Sequence, residues 1–394
     1  MKVSKNKLSK PTKGVMENTL INSEMTFPVT NISSLPDDIM FQILVRLPAQ
    51  DIYDNARLVC PSWYKIIRTH NFARAHLVQA THGLLIQDRS SEYDQKVFVS
   101  SQKDQIGISN INHDRKVLSS CNGLVLDYLY HNRRELYVSN PVTKRRFALP
   151  PLLATNGIVA MAYVASTNEY KAVRTIPPYA ILTVGVDKDW TRLLNVQHLS
   201  KTAKYLLLVY PLTTEGFVHW ARDKNVLTLN VETEIFTLYH APHPIPPPLR
   251  CYGGETLLSY LPMGSYLSML IGDQTTLSWE VWIMKPETGE WRKMTSIDIE
   301  AEKCTFEGVS GLYCRLRPVG WLKLEEVLVF NVRKEYNFDQ SGYTRFYIAY
   351  NDCTSEIETF ELDGRKLNCD IAHTNSLIWL DGVPFVDESN GSVR

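Results

Sequence analysis

Between Pro36 and Arg46 the apolar positions wrap around the chain instead of lying along one side. Projected at about 100° per residue, Asp38, Gln42 and Arg46 share a narrow polar stripe, while Ile39, Met40, Phe41, Ile43, Leu44, Val45 and Leu47 fill an arc of roughly 240°. That is more apolar surface than a helix resting on a single core needs. Pro36 suits the first turn, where a missing N–H costs nothing, and Asp37 and Asp38 suit the positive end of the helix dipole. Leu47-Pro48 closes this helix. A second is expected over Ala49 to Arg57 and a third over Ser62 to Ile67, with Trp63, Ile66 and Ile67 at helical spacing after a break at Leu58-Val59-Cys60-Pro61.

Three short helices in about 40 residues fall below the size at which one core usually holds by itself. The surplus apolar face is therefore expected against a partner or against the rest of the chain. Periodicity leaves both open, including a plain helical cap on the domain that follows.

From Gly83 onward the period changes to alternation. Gly83 to Ile86, Lys96 to Val99, Leu124 to Tyr128, Leu136 to Ser139 and Phe147 to Leu149 are short runs rich in β-branched and aromatic residues, separated by turn residues. The change places a boundary near residues 77 to 82 and predicts an all-β domain beyond it.

One unit recurs in degenerate form. Cys121 to Leu126 leads through Glu135 to Val138 to the turn Asn140-Pro141-Val142-Thr143-Lys144, then Phe147 to Pro150. Glu215 to Trp220 leads through Val226 to Leu229 to Asn230-Val231-Glu232-Thr233-Glu234, then Phe236 to Leu238. Trp279 to Met284 leads to Lys285-Pro286-Glu287-Thr288-Gly289 and Trp291, and Arg345 to Tyr350 leads to Asn351-Asp352-Cys353-Thr354-Ser355 and Ile357. Strand–turn–strand units at roughly 50-residue intervals indicate a β-propeller of about five to seven blades. A large β-sandwich is the competing architecture, and periodicity does not separate the two.

The expected fold is thus α+β and multidomain: a polar tail over 1–33, a three-helix module over 34–77, an all-β domain over 83–386 and a short tail over 387–394. Lys2, Lys5, Lys7, Lys10 and Lys13 are dispersed through the first tail, which reads as a flexible segment and not as a clustered import signal.

Composition narrows the classes of function. Lys plus Arg number 42 and Asp plus Glu 42, so the chain has no net basic field for nucleic acid. Cys60, Cys121, Cys251, Cys304, Cys314, Cys353 and Cys369 are irregularly spaced, form no CxxC pair, and read as reduced thiols of a nuclear or cytoplasmic protein. No run approaches the roughly 20 apolar residues of a membrane span, and no signal peptide is recognisable. The sequons at Asn31 and Asn390 therefore read as chance matches.

Candidate chemistry is sparse. There is no GxSxG elbow, Walker loop, HExxH or GxGxxG. Gly308-Val309-Ser310-Gly311 reads as a turn. His240 and His243 lack a further ligand at metal-binding distance, and Pro242 to Arg250 reads as a stiff connector that could present a proline-rich surface. Lys144-Arg145-Arg146, with Arg133 and Arg134 nearby, suits either an acidic partner or a charged sheet edge. Trp190, Trp220, Trp279, Trp282, Trp291, Trp321 and Trp379 suit blade cores. Trp279 and Trp282 are three apart in a strand and face opposite sides, so one of them is expected at an interface and is the candidate contact for a bound protein.

The stretch Leu35-Pro36-Asp37-Asp38-Ile39, Ile43-Leu44, Arg46-Leu47-Pro48, Asp51-Ile52, Leu58-Val59-Cys60 and Trp63, ending in Phe72 and His76-Leu77, resembles the F-box in its plant form. The downstream units SSCNGLVLDY, YVSNPVTKRRFALPP, Ala162 to Arg174 and Phe217 to Trp220 resemble the kelch-like F-box-associated interaction domain. The resemblance implies binding of a Skp-family adaptor, and through it a cullin–RING ubiquitin ligase, by Leu35, Pro36, Ile39, Ile43, Leu44, Leu47, Pro48, Ile52, Leu58, Val59 and Trp63. It further implies a β-domain that holds a target protein, a non-catalytic role and no cofactor. A kelch-like carbohydrate-binding protein or enzyme with a helical cap is the alternative.

Overall fold

The computed structural model describes residues 35–88, 96–102, 105–129, 132–151, 158–193, 195–242, 256–273, 276–300, 314–323, 326–334, 345–362, 367–380, 382–383, 386–387 and 392–393. It opens with α1 (Asp37–Leu44), α2 (Ala49–Asp54), a 3₁₀ turn over Ala56–Leu58, α3 (Pro61–Ile67) and α4 (His70–Gln79). Pro36 and Pro48 stand immediately before α1 and α2, and Pro61 opens α3, all positions that tolerate a missing N–H. The helix expected over Ala49 to Arg57 is broken at Asn55 and tightens into the 3₁₀ turn. A fourth helix extends the expected three. Its start is marked by Thr69, whose hydroxyl oxygen accepts the N–H of Phe72 at 3.1 Å.

Six antiparallel sheets follow, arranged as a six-bladed β-propeller. Blade 2 runs outward through Lys116–Cys121, Leu124–Leu129, Asn132–Asn140 and Arg145–Ala148; blade 3 through Val159–Val164, Glu169–Arg174, Ala180–Thr183 and Thr191–Arg192. Blade 4 comprises Leu212–Thr214, Phe217–Arg222, Asn225–Asn230 and Ile235–His240, and blade 5 comprises Thr256–Met263, Tyr266–Asp273, Ser278–Met284 and Trp291–Asp298. Blade 6 comprises Cys314–Lys323, Val327–Lys334, Arg345–Asn351 and Ile357–Leu362.

Blade 1 is made from both ends of the domain. Its outer three strands are His82–Asp88, Lys96–Gln102 and Gln105–Ile111, and its inner strand is Leu367–Thr374, paired from His82↔Thr374 to Asp88↔Leu367. This pairing closes the ring and removes the edges that an open sheet would expose. Beyond it the chain adds Val386–Asp387 and Ser392–Val393 to the outer edge of blade 2. Residues 387 and 392–393, expected in a polar tail, are thus paired, because edge pairing uses backbone groups and needs no apolar pattern.

The apolar side chains fill the spaces between successive blades, as radial packing requires. Leu85, Val117 and Val125 lie between blades 1 and 2, Trp220 and Leu229 with Ala160 and Val173 between blades 3 and 4, and Val226, Leu267 and Met284 between blades 4 and 5. Trp279, Phe330 and Ile348 belong between blades 5 and 6, and Leu84, Val99, Val329 and Tyr347 close the ring between blades 6 and 1. A two-sheet sandwich would give one continuous layer instead.

Candidate interaction surfaces

The helical module is assembled around α4. Phe72 meets Phe41 edge to face at 5.2 Å, and the buried His76 places Nε2 3.0 Å from the carbonyl oxygen of Leu47, so α4 holds both α1 and the turn that leaves it. Leu44, Val45, Ala49, Ile52, Ala56, Phe72 and Ala73 form one apolar cluster with Leu124, Leu136 and Val138 of blade 2, Met161 and Ala172 of blade 3, and Leu377, Ile378 and Leu380 of the segment after the ring-closing strand. Arg74 donates to the Tyr163 hydroxyl at 2.9 Å and to the side-chain oxygen of Asn168, in the turn between the first two strands of blade 3.

These contacts use only part of the module. Ile39 and Ile43, one turn apart on α1, are 47% and 45% exposed, and Leu58 and Val59, at the end of the 3₁₀ turn, are 71% and 60% exposed. Pro36 and Pro48 are exposed, whereas Leu35, Leu47 and Trp63 are half-buried. Leu44 and Ile52, expected at a partner's surface, are fully buried in the chain's own core. They act from below, fixing the helices that carry the exposed side chains. Tyr64 and Val78 are exposed as well, Val78 on α4, and neither stands out in the apolar pattern of the sequence.

The module occupies one end of the propeller. Its neighbours Asn122, Asn168, Thr143 and Gly185 stand in turns joining first to second or third to fourth strands, which all lie at the same end of an up-and-down blade. The opposite end carries the connections between blades and the turns between second and third strands. There, α5 (Lys201–Leu206) and the residues after it, between blades 3 and 4, expose Tyr205, Leu208 and Tyr210.

Trp279 does not reach the surface. It is 1% exposed, lies 4.8 Å from Phe330 centroid to centroid, and covers Gly272 so closely that a Cβ there would stand 2.1 Å from its Nε1. Trp282, the other member of the expected pair, is half-buried and its indole donates to Glu280 at 3.3 Å. Trp279 is therefore a core residue, and of the two only Trp282 offers any surface to a partner.

The basic run of blade 2 is engaged within the chain. Lys144 donates to the Asn112 carbonyl at 2.8 Å, and the Arg146 guanidinium lies 5.6 Å from the Tyr137 ring centroid. His243 to Arg250 and Gly308 to Gly311 lie outside the described residues. Among the described residues no group of His, Cys, Asp and Glu could hold a metal ion, and no helix is long and apolar enough to cross a membrane.

Comparison with known proteins identifies the helical module. Residues 32–74 match the F-box domain. The chain is 21% identical over 327 residues to a putative F-box/kelch-repeat protein of Arabidopsis thaliana, covering 68% of this chain and 73% of that one. It is 22% identical over 334 residues to an Arabidopsis thaliana F-box protein, covering 76% of this chain and 89% of that one. Among solved structures, the crystal structure of TolB from Acinetobacter baumannii is 8% identical, with 79% of this chain and 73% of that chain covered at a TM-score of 0.42, a likeness too distant to bear on function. The chain thus carries an F-box, set on one end of a six-bladed propeller, and is similar over most of its length to F-box proteins of a plant.

Proposed function

We propose that this chain is the substrate-recognition subunit of a Skp–cullin–F-box ubiquitin ligase, gripping a Skp-family adaptor with the F-box and a target protein with the propeller. The observation that carries the reading is the exposure of Ile39, Ile43, Leu58 and Val59 on helices whose cores are already satisfied. Burying an aliphatic side chain of this size stabilises by up to about 1.5–3 kcal/mol, so these four can anchor a helical partner without rearranging the F-box. The chain contributes proximity and no nucleophile: it raises the local concentration of target lysines near the ubiquitin-charged enzyme. Its work lies in the nucleus or cytoplasm.

The test is co-purification of the full chain with a Skp-type adaptor. A one-to-one complex is expected, lost in Ile43→Asp while the thermal midpoint of the chain alone is unchanged, because Ile43 is not part of the core. Failure of the unsubstituted chain to bind any such adaptor, or retention of the complex by Ile43→Asp, overturns the proposal.

A further inference from the structure

The propeller end remote from the F-box carries a groove of about 530 Å³ between blades 4, 5 and 6. Its floor is apolar: Leu212, Leu257, Leu258 and Leu261 come from the inner strands of blades 4 and 5, and Leu316 and Pro318 from that of blade 6. Tyr210 lines one side, and next to it along the chain Tyr205 and Leu208 project into solvent, the three being 60%, 53% and 63% exposed. Isolated exposed apolar residues are ordinary, but three within six residues beside an apolar groove form a patch.

Among the described residues lining this groove, cations outnumber carboxylates. Arg222 and Arg317 line it and are exposed, and Lys201, Lys204 and Lys224 are exposed on the adjoining helix and turn. The Arg222 guanidinium lies 5.1 Å from the Tyr205 ring centroid, so charge and aromatic surface stand together at the rim. Asp223 is the one carboxylate among the lining residues. Its backbone carbonyl accepts the Tyr260 hydroxyl, which holds the turn that presents Arg222. The described rim thus presents Arg222 and Arg317 beside an apolar floor, with Asp223 the single opposing charge in the lining.

We infer that this groove receives an acidic peptide segment of the target protein, an Asp- and Glu-rich stretch that places an aliphatic or aromatic side chain on the leucine floor while its carboxylates meet Arg222 and Arg317. The inference rests on the substrate-receptor reading and adds the class of segment recognised. The cations supply orientation and association rate, and the apolar floor supplies retention. The location suits the task, since a target held here leaves the F-box end open to the adaptor.

Selection of a random dodecapeptide display library on the full chain tests this directly. Peptides with net negative charge and at least one large apolar side chain are expected to be enriched. Their binding should weaken at least about tenfold in the Arg222→Glu/Arg317→Glu double variant, and should fall as salt is raised from about 50 to 300 mM. Leu208→Glu, at a side chain that faces solvent, should weaken it without unfolding the chain. Neutral or basic selected peptides, no enrichment over the double variant, or a dimer of the chain that Leu208→Glu dissolves would each overturn the proposal. Adaptor capture is read separately: the double variant must still bind the adaptor in an Ile43-dependent way. Loss of peptide selection alone then counts against the groove, and loss of adaptor binding by the unsubstituted chain counts against the receptor reading.

Discussion

The imidazole Nε2 of His76 lies 3.0 Å from the backbone carbonyl of Leu47, across the gap between α4 and the turn joining α1 to α2. A carbonyl can only accept, so Nε2 carries the proton in this bond, which satisfies a backbone group that the end of α1 leaves unpaired. His76→Ala removes the donor and opens a void beneath Leu47. A destabilisation of about 2–3 kcal/mol is expected, read as a lower denaturation midpoint, with faster amide exchange concentrated in α1 and α2. An unchanged midpoint would show that the F-box is organised without this contact.

The F-box was legible because its signals are local. Proline at helix starts, acidic first turns and an over-wide apolar arc can each be read within a dozen residues. What local reading could not supply was the division of that arc: Leu44 and Ile52 face inward and Ile39 and Ile43 outward only because α4 and the residues around Ile378 cover one side. The propeller was legible through its turns. Asn140, Asn230 and Asn351 each accept two N–H groups through Oδ1, from the residues two and three positions on, so the same chemistry recurs where the outer two strands of blades 2, 4 and 6 are joined. Blade 1 was not legible as a blade, because its inner strand lies some 280 residues downstream of its neighbour in the sheet and no periodicity spans that interval. Trp279 and Trp282 show the same limit: opposite faces followed from their spacing, but which face meets the next blade is set by the ring.

Asn140 does more than its counterparts. Besides accepting from Val142 and Thr143 at 2.8 and 3.0 Å, it donates to the carbonyls of Ser376 and Ile378 at 3.0 and 2.9 Å, tying the blade 2 turn to the segment that passes beneath the F-box. Asn140→Ala orphans four buried backbone groups and should cost about 3–4 kcal/mol, whereas Asn230→Ala, at the equivalent and more exposed turn of blade 4, should cost about 1 kcal/mol. Urea unfolding of the two variants side by side decides it, and equal losses would show that the link to Ser376 and Ile378 adds nothing.

Two buried histidines are expected to make the fold acid-sensitive. His219 is enclosed between the Thr214 and Thr228 hydroxyls at 2.8 and 2.9 Å, and burial lowers its pKa from 6.5 to about 3. His373 is lowered to about 3 chiefly by burial, with His113 and His82 adding to the effect. In each the folded state favours the neutral ring, so the unfolded chain binds the extra proton. The stabilisation is complete above the unfolded pKa and is lost as pH falls from about 6.5 towards 3. At pH 5 each residue should have given up about 2 kcal/mol, taking about 1.4 kcal/mol per pH unit. A thermal midpoint that falls steeply between pH 7 and 4, with a shallower fall in His219→Gln, is the expected outcome. An identical slope in the variant would assign the acid sensitivity elsewhere.

The last residue of the recurring turn must adopt a left-handed backbone: φ is 57° at Lys144, 58° at Glu234, 72° at Gly289 and 57° at Ser355. For a residue with a side chain that conformation costs roughly 1–2 kcal/mol, so Glu234→Gly should stabilise by up to about 1 kcal/mol after the added freedom of the unfolded chain is subtracted. Gly289 carries a second constraint. A Cβ there would stand 2.1 Å from Cδ1 of Tyr239, whose hydroxyl reaches over the same turn to donate to the Pro286 carbonyl at 3.3 Å. Gly289→Ala therefore combines backbone strain with a collision across the blade 4–blade 5 boundary, and a loss of more than about 2 kcal/mol is expected. Tyr239→Ala in the same chain should recover part of that loss, because it removes the collision and leaves only the strain. Additive losses in the double variant would show instead that the ring moves aside at no cost and that glycine is required at this position by φ alone.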